Sequence, residues 1–156
     1  MNYIHKMAMV SASRFGHNNY VYEFCTIRDS TMEDDCKIYE RVTIRGSELH
    51  SGVIVKAGAS VESAKIGERV KVGQNCSIIG NTHNYSKQGL EYDVYFNLIT
   101  IEEMVVIGAG SIILPGITVG KHSVIAPGSV VGINIPSHHE YIGNSLNDNF
   151  RLSEIK

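Results

Sequence analysis

From Ile101 onward, aliphatic residues return at every sixth position: Ile101, Ile107, Ile113, Val119, Ile125 and Val131. The next residue is often small, as at Gly108, Gly120, Ala126 and Gly132. A small or β-branched residue stands four places after each aliphatic one, as at Val105, Ser111, Ile117, Ser123 and Ser129. A period of six fits neither the helical repeat nor the alternation of an ordinary strand. It fits a solenoid in which each hexad makes one short flat side and a corner, and three hexads close a coil.

The upstream half repeats on a second schedule. Phe15, Val21 and Ile27 are followed by Met32, Ile38 and Ile44, then Leu49, Val55 and Val61, then Ile66, Val72 and Ile78. Spacings of six, six and five bring the same corner back every 17 residues. The pattern predicts Phe15, Met32, Leu49 and Ile66 in one column and Ile27, Ile44, Val61 and Ile78 in another. Coils paired at about 4.8 Å give a prism of roughly six coils and about 30 Å. Its interior is an Ile and Val ladder, which suits pleated, buried positions. Cys36 and Cys76 fall four residues after Met32 and Val72, at small-residue positions, and are expected to be buried structural thiols.

Two segments leave the schedule. Residues 80–100 hold no hexads and include Asn81, Thr82, His83, Asn84 and Tyr85; a long polar excursion from a regular solenoid points to function. Residues 137–156 form a tail, in which 146–155 are expected to make a short helix over the open end. Residues 1–14 are expected to cap the opposite end, where an exposed coil edge invites aggregation. The chain therefore reads as one domain, 1–156.

Composition narrows the picture. A mass of 17.2 kDa allows a single domain, and 43% apolar residues supply a core. A net charge of −2 lacks the basic excess that nucleic-acid binding requires. Residues 104–120 carry no charge, but Gly108, Gly110, Pro115 and Gly116 break them, so a repeat is expected rather than a membrane insertion. The first residues show no charged-then-apolar leader. Three cysteines without metal-type pairing fit a reduced, cytoplasmic setting.

The run Ile107-Gly108-Ala109-Gly110-Ser111-Ile112-Ile113-Leu114-Pro115-Gly116, continuing to Ile125-Ala126-Pro127-Gly128-Ser129, resembles the hexapeptide-repeat acyltransferases. The resemblance implies a left-handed parallel β-helix; together with the excursion and tail read above, the expected fold is all-β, a β-helix of hexapeptide repeats with one excursion loop and a short C-terminal helix. The resemblance further implies a homotrimer with acyl-CoA, here acetyl-CoA, in the groove between subunits. Within that family the chain is most similar to sugar O-acetyltransferases and antibiotic acetyltransferases, which carry a His on a loop just upstream of the repeats. His83 matches that catalytic base.

Gly108 with Ala109, and Ala126 with Pro127 one coil later, match positions that contact the CoA arm. Lys121 and Arg151 are candidates for the CoA phosphates, with solvated surface charge as the ordinary alternative. Asn81, Asn84 and Tyr85 are candidates to orient the acceptor, with loop-stabilising turns as the alternative. Glu91, Asp93 or a backbone carbonyl would orient the imidazole. The chain departs from the family at Val106, where many relatives have Trp, at Gly132 and Ile133, where relatives place Thr-Lys, and at Gly143-Asn144-Ser145-Leu146.

A thioester is already activated, so the protein must remove the acceptor's proton and hold the two reactants together. His83 suits the first task, and a backbone N–H near Ala109 would stabilise the oxyanion. His5, His17, His50, His122, His138 and His139 read as solvated or turn residues. No residue five from His83 or His122 is histidine, so no metal site is expected. Gly108-x-Gly110 is not a dinucleotide fingerprint, because Ile113 stands at the third glycine position. The expected function is transfer of acetyl from acetyl-CoA to a hydroxyl or amine of a sugar-type acceptor, as in polysaccharide biosynthesis. The rival readings are a non-catalytic scaffold and a metal-dependent hydratase of the same fold.

Overall fold

Val21, Ile38, Val55, Val72, Ile107, Ile125 and Tyr141 form one inward column, each the register partner of the next across parallel strands. A second column runs Ile27, Ile44, Val61, Ile78, Ile113 and Val131. The third runs Phe15, Met32, Leu49, Ile66, Ile101, Val119 and Ile135. All but the terminal Phe15 are buried. These columns line the three faces of a parallel β-solenoid, seen in a computed structural model that describes residues 1–86 and 89–156. The architecture is consistent with a left-handed parallel β-helix.

The columns predicted from the 17-residue schedule are present, but there are seven coils and part of an eighth rather than six. The difference lies at the start. Residues 1–14 are a coil in their own right, with Ile4 opposite Val21 and Val10 opposite Ile27, followed by Phe15 opposite Met32. Their spacing obeys the same schedule, which the surrounding polar residues obscured.

Corners use the left-handed region. At the edge between faces two and three, Ala12, Asp29, Gly46 and Ser63 have φ of 47°, 50°, 52° and 51°. Small polar side chains then tie successive coils together. The Ser13 hydroxyl oxygen accepts from Ser30 N (3.2 Å), Ser30 from Ser47 N (3.2 Å) and Ser47 from Ala64 N (3.1 Å). The three thiols serve at other corners. Cys25, Cys36 and Cys76 donate to the carbonyls of Tyr39, His50 and Gly108 on the next coil. Ser111 does the same to Ala126 in the column of Cys76.

The tail contains no α-helix. His139–Asn144 continues the solenoid, a single 3-10 turn at Ser145–Asn147 reverses the chain, and Asn149–Glu154 pairs antiparallel with the preceding strand. Phe150 and Leu152 alternate with polar neighbours, a strand period. The returning strand also satisfies the backbone of the last edge.

Candidate functional site

Glu62 and Ala64 are separated by Ser63 alone, whereas their register partners Ile79 and Ile99 are separated by residues 80–98. The fifth coil therefore replaces a one-residue corner with a long excursion. Residues 80–100 are not an irregular loop: Asn81–Ser86 and Gly89–Phe96 form an antiparallel hairpin, and the solenoid resumes at Ile99. Its neck is pinned to both neighbouring coils. Gly80 N donates to Glu62 O (2.8 Å), Asn97 N to Gly80 O (2.7 Å), and Gly116 N to Asn97 O (3.0 Å).

His83 is exposed on this hairpin, opposite Val94, and the register shifts between His83 and Tyr85. Such irregularities re-aim side chains and are over-represented beside active sites. Asn81 is at the neck, its amide 3.5 Å from Glu62 Oε2. The side chains of Asn84, Tyr85, Glu91 and Asp93 lie outside the described residues.

Gly108, Ala109, Ala126 and Pro127 are brought together at a different edge, between faces one and two. Gly108 N donates to Ile125 O (2.8 Å), and Gly128 N donates to Ala109 O (2.9 Å). At Gly110, where φ is +71°, a side-chain carbon would find nothing within 4 Å, so the outer surface of this corner is bare. A long thin ligand can lie against it. Arg151 pairs with Ile142, one coil beyond Ala126 on this edge, and its guanidinium is 3.8 Å from Glu140. Lys121 is not on this edge. It belongs to the corner between faces three and one, where its N–H donates to Glu102 Oε2 (2.8 Å).

Between the two edges runs face two, where Ile112 is 41% exposed and Val130 half-buried. His83 and the Gly108–Pro127 corner thus stand at opposite margins of one face in a single chain. Of the remaining histidines, His139 opens the strand His139–Asn144 and the others occupy corners. His17 and His50 approach Asp34 and Glu33 at 3.4 and 3.2 Å, and His122 stacks on His138 at 5.1 Å. Among the described residues no three His, Cys, Asp or Glu side chains converge. The hairpin's second strand and the irregularity at His83 escaped the sequence; the apolar run Val94-Tyr95-Phe96 was the available signal.

Residues 99–132 match the family model described as bacterial transferase hexapeptide (six repeats). Those residues carry the hexapeptide repeat, and they sit within a parallel β-solenoid. A hexapeptide-repeat-containing acetyltransferase of Vibrio cholerae, solved with acetyl coenzyme A, is similar at 19% identity and TM-score 0.66, covering 91% of this chain and 72% of that one. A variant of AntD, an N-acyltransferase of Bacillus cereus solved with dTDP-4-amino-4,6-dideoxyglucose and coenzyme A, gives 16%, 0.63, 98% and 80% in the same order. A maltose O-acetyltransferase of Clostridium difficile gives 20%, 0.58, 97% and 72%. No curated protein matches the chain. No helix is long and apolar enough to cross a membrane among the described residues.

Proposed function

We propose that this protein is an acetyl-CoA-dependent acetyltransferase acting on a hydroxyl or amine of a sugar or sugar-containing acceptor. One observation carries the reading: a regular solenoid gives up a one-residue corner just upstream of the matched repeats and lifts an exposed His83 on a hairpin. The bare Gly108–Pro127 edge supports it as a place for the CoA arm, and the activities of the similar structures agree with it.

In this mechanism His83 takes the proton from the acceptor as its oxygen or nitrogen attacks the thioester carbonyl carbon. The carbon–sulfur bond breaks, the acetyl stays on the acceptor, and His83 returns the proton to the departing thiolate. No covalent enzyme intermediate is needed. A backbone N–H at the Ala109 corner supports the oxyanion.

A homotrimer belongs to this proposal. His83 and the Gly108 edge stand at opposite margins of a face in one chain, so a neighbouring subunit would bring its own edge to the hairpin. Phe96 and Leu98 beside the neck are 68% and 57% exposed, apolar surface such a neighbour would cover. Light scattering after size exclusion reads the oligomeric state directly. A cytoplasmic role in polysaccharide biosynthesis is the setting this reading favours.

The test is thiol release from acetyl-CoA against a panel of sugars, amino-sugars and nucleotide-sugars. His83→Ala is expected to keep its circular dichroism and lose about 10²- to 10⁴-fold in turnover, as removal of an acid–base group does. Unchanged turnover in that variant refutes the assignment.

A further inference from the structure

Arg28 and Arg45 are register partners on adjacent strands, and both are exposed. They lie in a column that continues through Glu62 to Ile79, on the same edge that throws out the hairpin. The two arginines, with Asp29, Glu62, Asn81 and Phe96, border a cleft of about 350 Å³ that opens at the hairpin neck. Asn81 lies two residues before His83, so the cleft leads from the proposed catalytic base toward the N-terminal coils.

The arginine corner is rigid. Ser30 and Ser47 donate their hydroxyls to the carbonyls of Arg28 (2.7 Å) and Arg45 (2.8 Å), while accepting from the next coil. The backbone beneath each guanidinium is thereby held at the interstrand spacing of about 4.8 Å. Among the described residues neither guanidinium has a carboxylate within 4.0 Å, unlike Arg69 and Arg151, which approach Glu68 and Glu140. Glu62 directs one oxygen to the Asn81 amide. Asp29 and Glu62 balance the charge of the cleft, so attraction of loose anions is weak and recognition depends on the geometry of the guanidinium forks.

We propose that Arg28 and Arg45 bind the phosphate of the acceptor, which makes that acceptor a phosphate-bearing sugar. Planar guanidiniums bind phosphate oxygens in pairs, and two of them side by side suit two neighbouring phosphates. This inference rests on the acetyltransferase reading only for the word acceptor; the anion site stands on its own geometry.

Titration calorimetry with the full chain tests it, using inorganic pyrophosphate, UDP-glucose and glucose 1-phosphate as probes. Saturable binding is expected, weaker by about tenfold in Arg28→Gln or Arg45→Gln and by about a hundredfold in the double variant. Arg69→Gln should bind as wild type does. Preference for pyrophosphate and UDP-glucose identifies a diphosphate-linked sugar, and preference for glucose 1-phosphate a simple sugar phosphate; both support the site. Absence of saturable binding by all three probes overturns it, as does equal binding by the double variant. If the double variant fails to fold, Arg28→Lys and Arg45→Lys retain charge and lose the fork; affinity equal to wild type in both overturns the proposal. Binding is read without turnover, so loss of this site leaves the acetyltransferase assay standing, and the converse also holds.

Discussion

Gly108 lies directly beneath Pro127: a side-chain carbon added to Gly108 would stand 2.7 Å from both the Cα and the Cδ of Pro127. Both neighbours belong to a closed ring on the backbone and cannot swing aside. Gly108→Ala should therefore force the sixth and seventh coils apart and cost about 1–3 kcal/mol, as overpacking does. Gly110→Ala meets nothing within 4 Å and carries only the strain of a φ of +71°. It should cost about 1 kcal/mol. Urea denaturation of the two variants gives the comparison, and a Gly108→Ala midpoint equal to wild type refutes the close-packed corner.

Excision of the hairpin separates scaffold from site. Ser63 alone joins Glu62 to Ala64, so a single glycine in place of residues 80–98 should join Ile79 to Ile99 on the same pattern. The three inward columns contain no hairpin residue, and the variant is expected to fold with the β-rich spectrum of the parent. It should have no detectable acetyl transfer, since His83 leaves with the hairpin. An unfolded product would mean that the hairpin is part of the solenoid's own stability.

That modularity also explains what could be read from the chain. Inward positions such as Ile38 and Ile113 are dictated by a repeating environment, so their spacing alone exposes the columns. Residues 1–14 obey the same schedule, but Ile4 and Val10 are outnumbered by exposed polar and large residues at an end of the prism, where burial selects weakly. The hairpin was legible only as an interruption. Its two strands pair with each other rather than with a coil, so neither hexad spacing nor long alternation marks them. The Arg28–Arg45 pair lies on the same schedule, since the Thr-Ile-Arg triplets 26–28 and 43–45 repeat 17 residues apart, but the repeat alone does not mark an outward pair as a binding site.

The Cys36 thiol is buried against the His50 carbonyl, and burial pushes its pKa from the ordinary 9.0 up to about 11. Between those two values the unfolded chain has lost a proton that the native chain retains. Stability therefore falls as pH rises through that window and is unaffected by this group below it. Urea midpoints at about pH 8 and about pH 10.5 should show the decline. Cys36→Val, which copies Val53 and Val70 in the same column, should show a smaller one. A variant with the full alkaline loss would mean that other groups dominate it. Cys25 and Cys76 are shifted in the same direction by burial, so all three thiols should resist alkylation until the protein unfolds.

Tyr141 ends the column that runs through Val21, and it is the largest fully buried side chain among the described residues. Its ring stacks on Phe150 of the returning strand at 5.6 Å, and its hydroxyl donates to Val130 O (2.7 Å). The tail is therefore fastened to the solenoid by one side chain that is both core and hydrogen-bond donor. Tyr141→Phe keeps the packing and leaves Val130 O with a single weaker side-chain partner, the Ser145 hydroxyl at 3.4 Å. A loss of about 1 kcal/mol is expected. Tyr141→Ala opens a cavity at the end of the prism and removes the surface on which Phe150 rests, for about 3–5 kcal/mol. Hydrogen exchange should then show the amides of Asn149–Glu154 released before those of the inner coils. Equal protection of tail and inner coils in Tyr141→Ala would mean that the antiparallel pairing alone holds the tail in place.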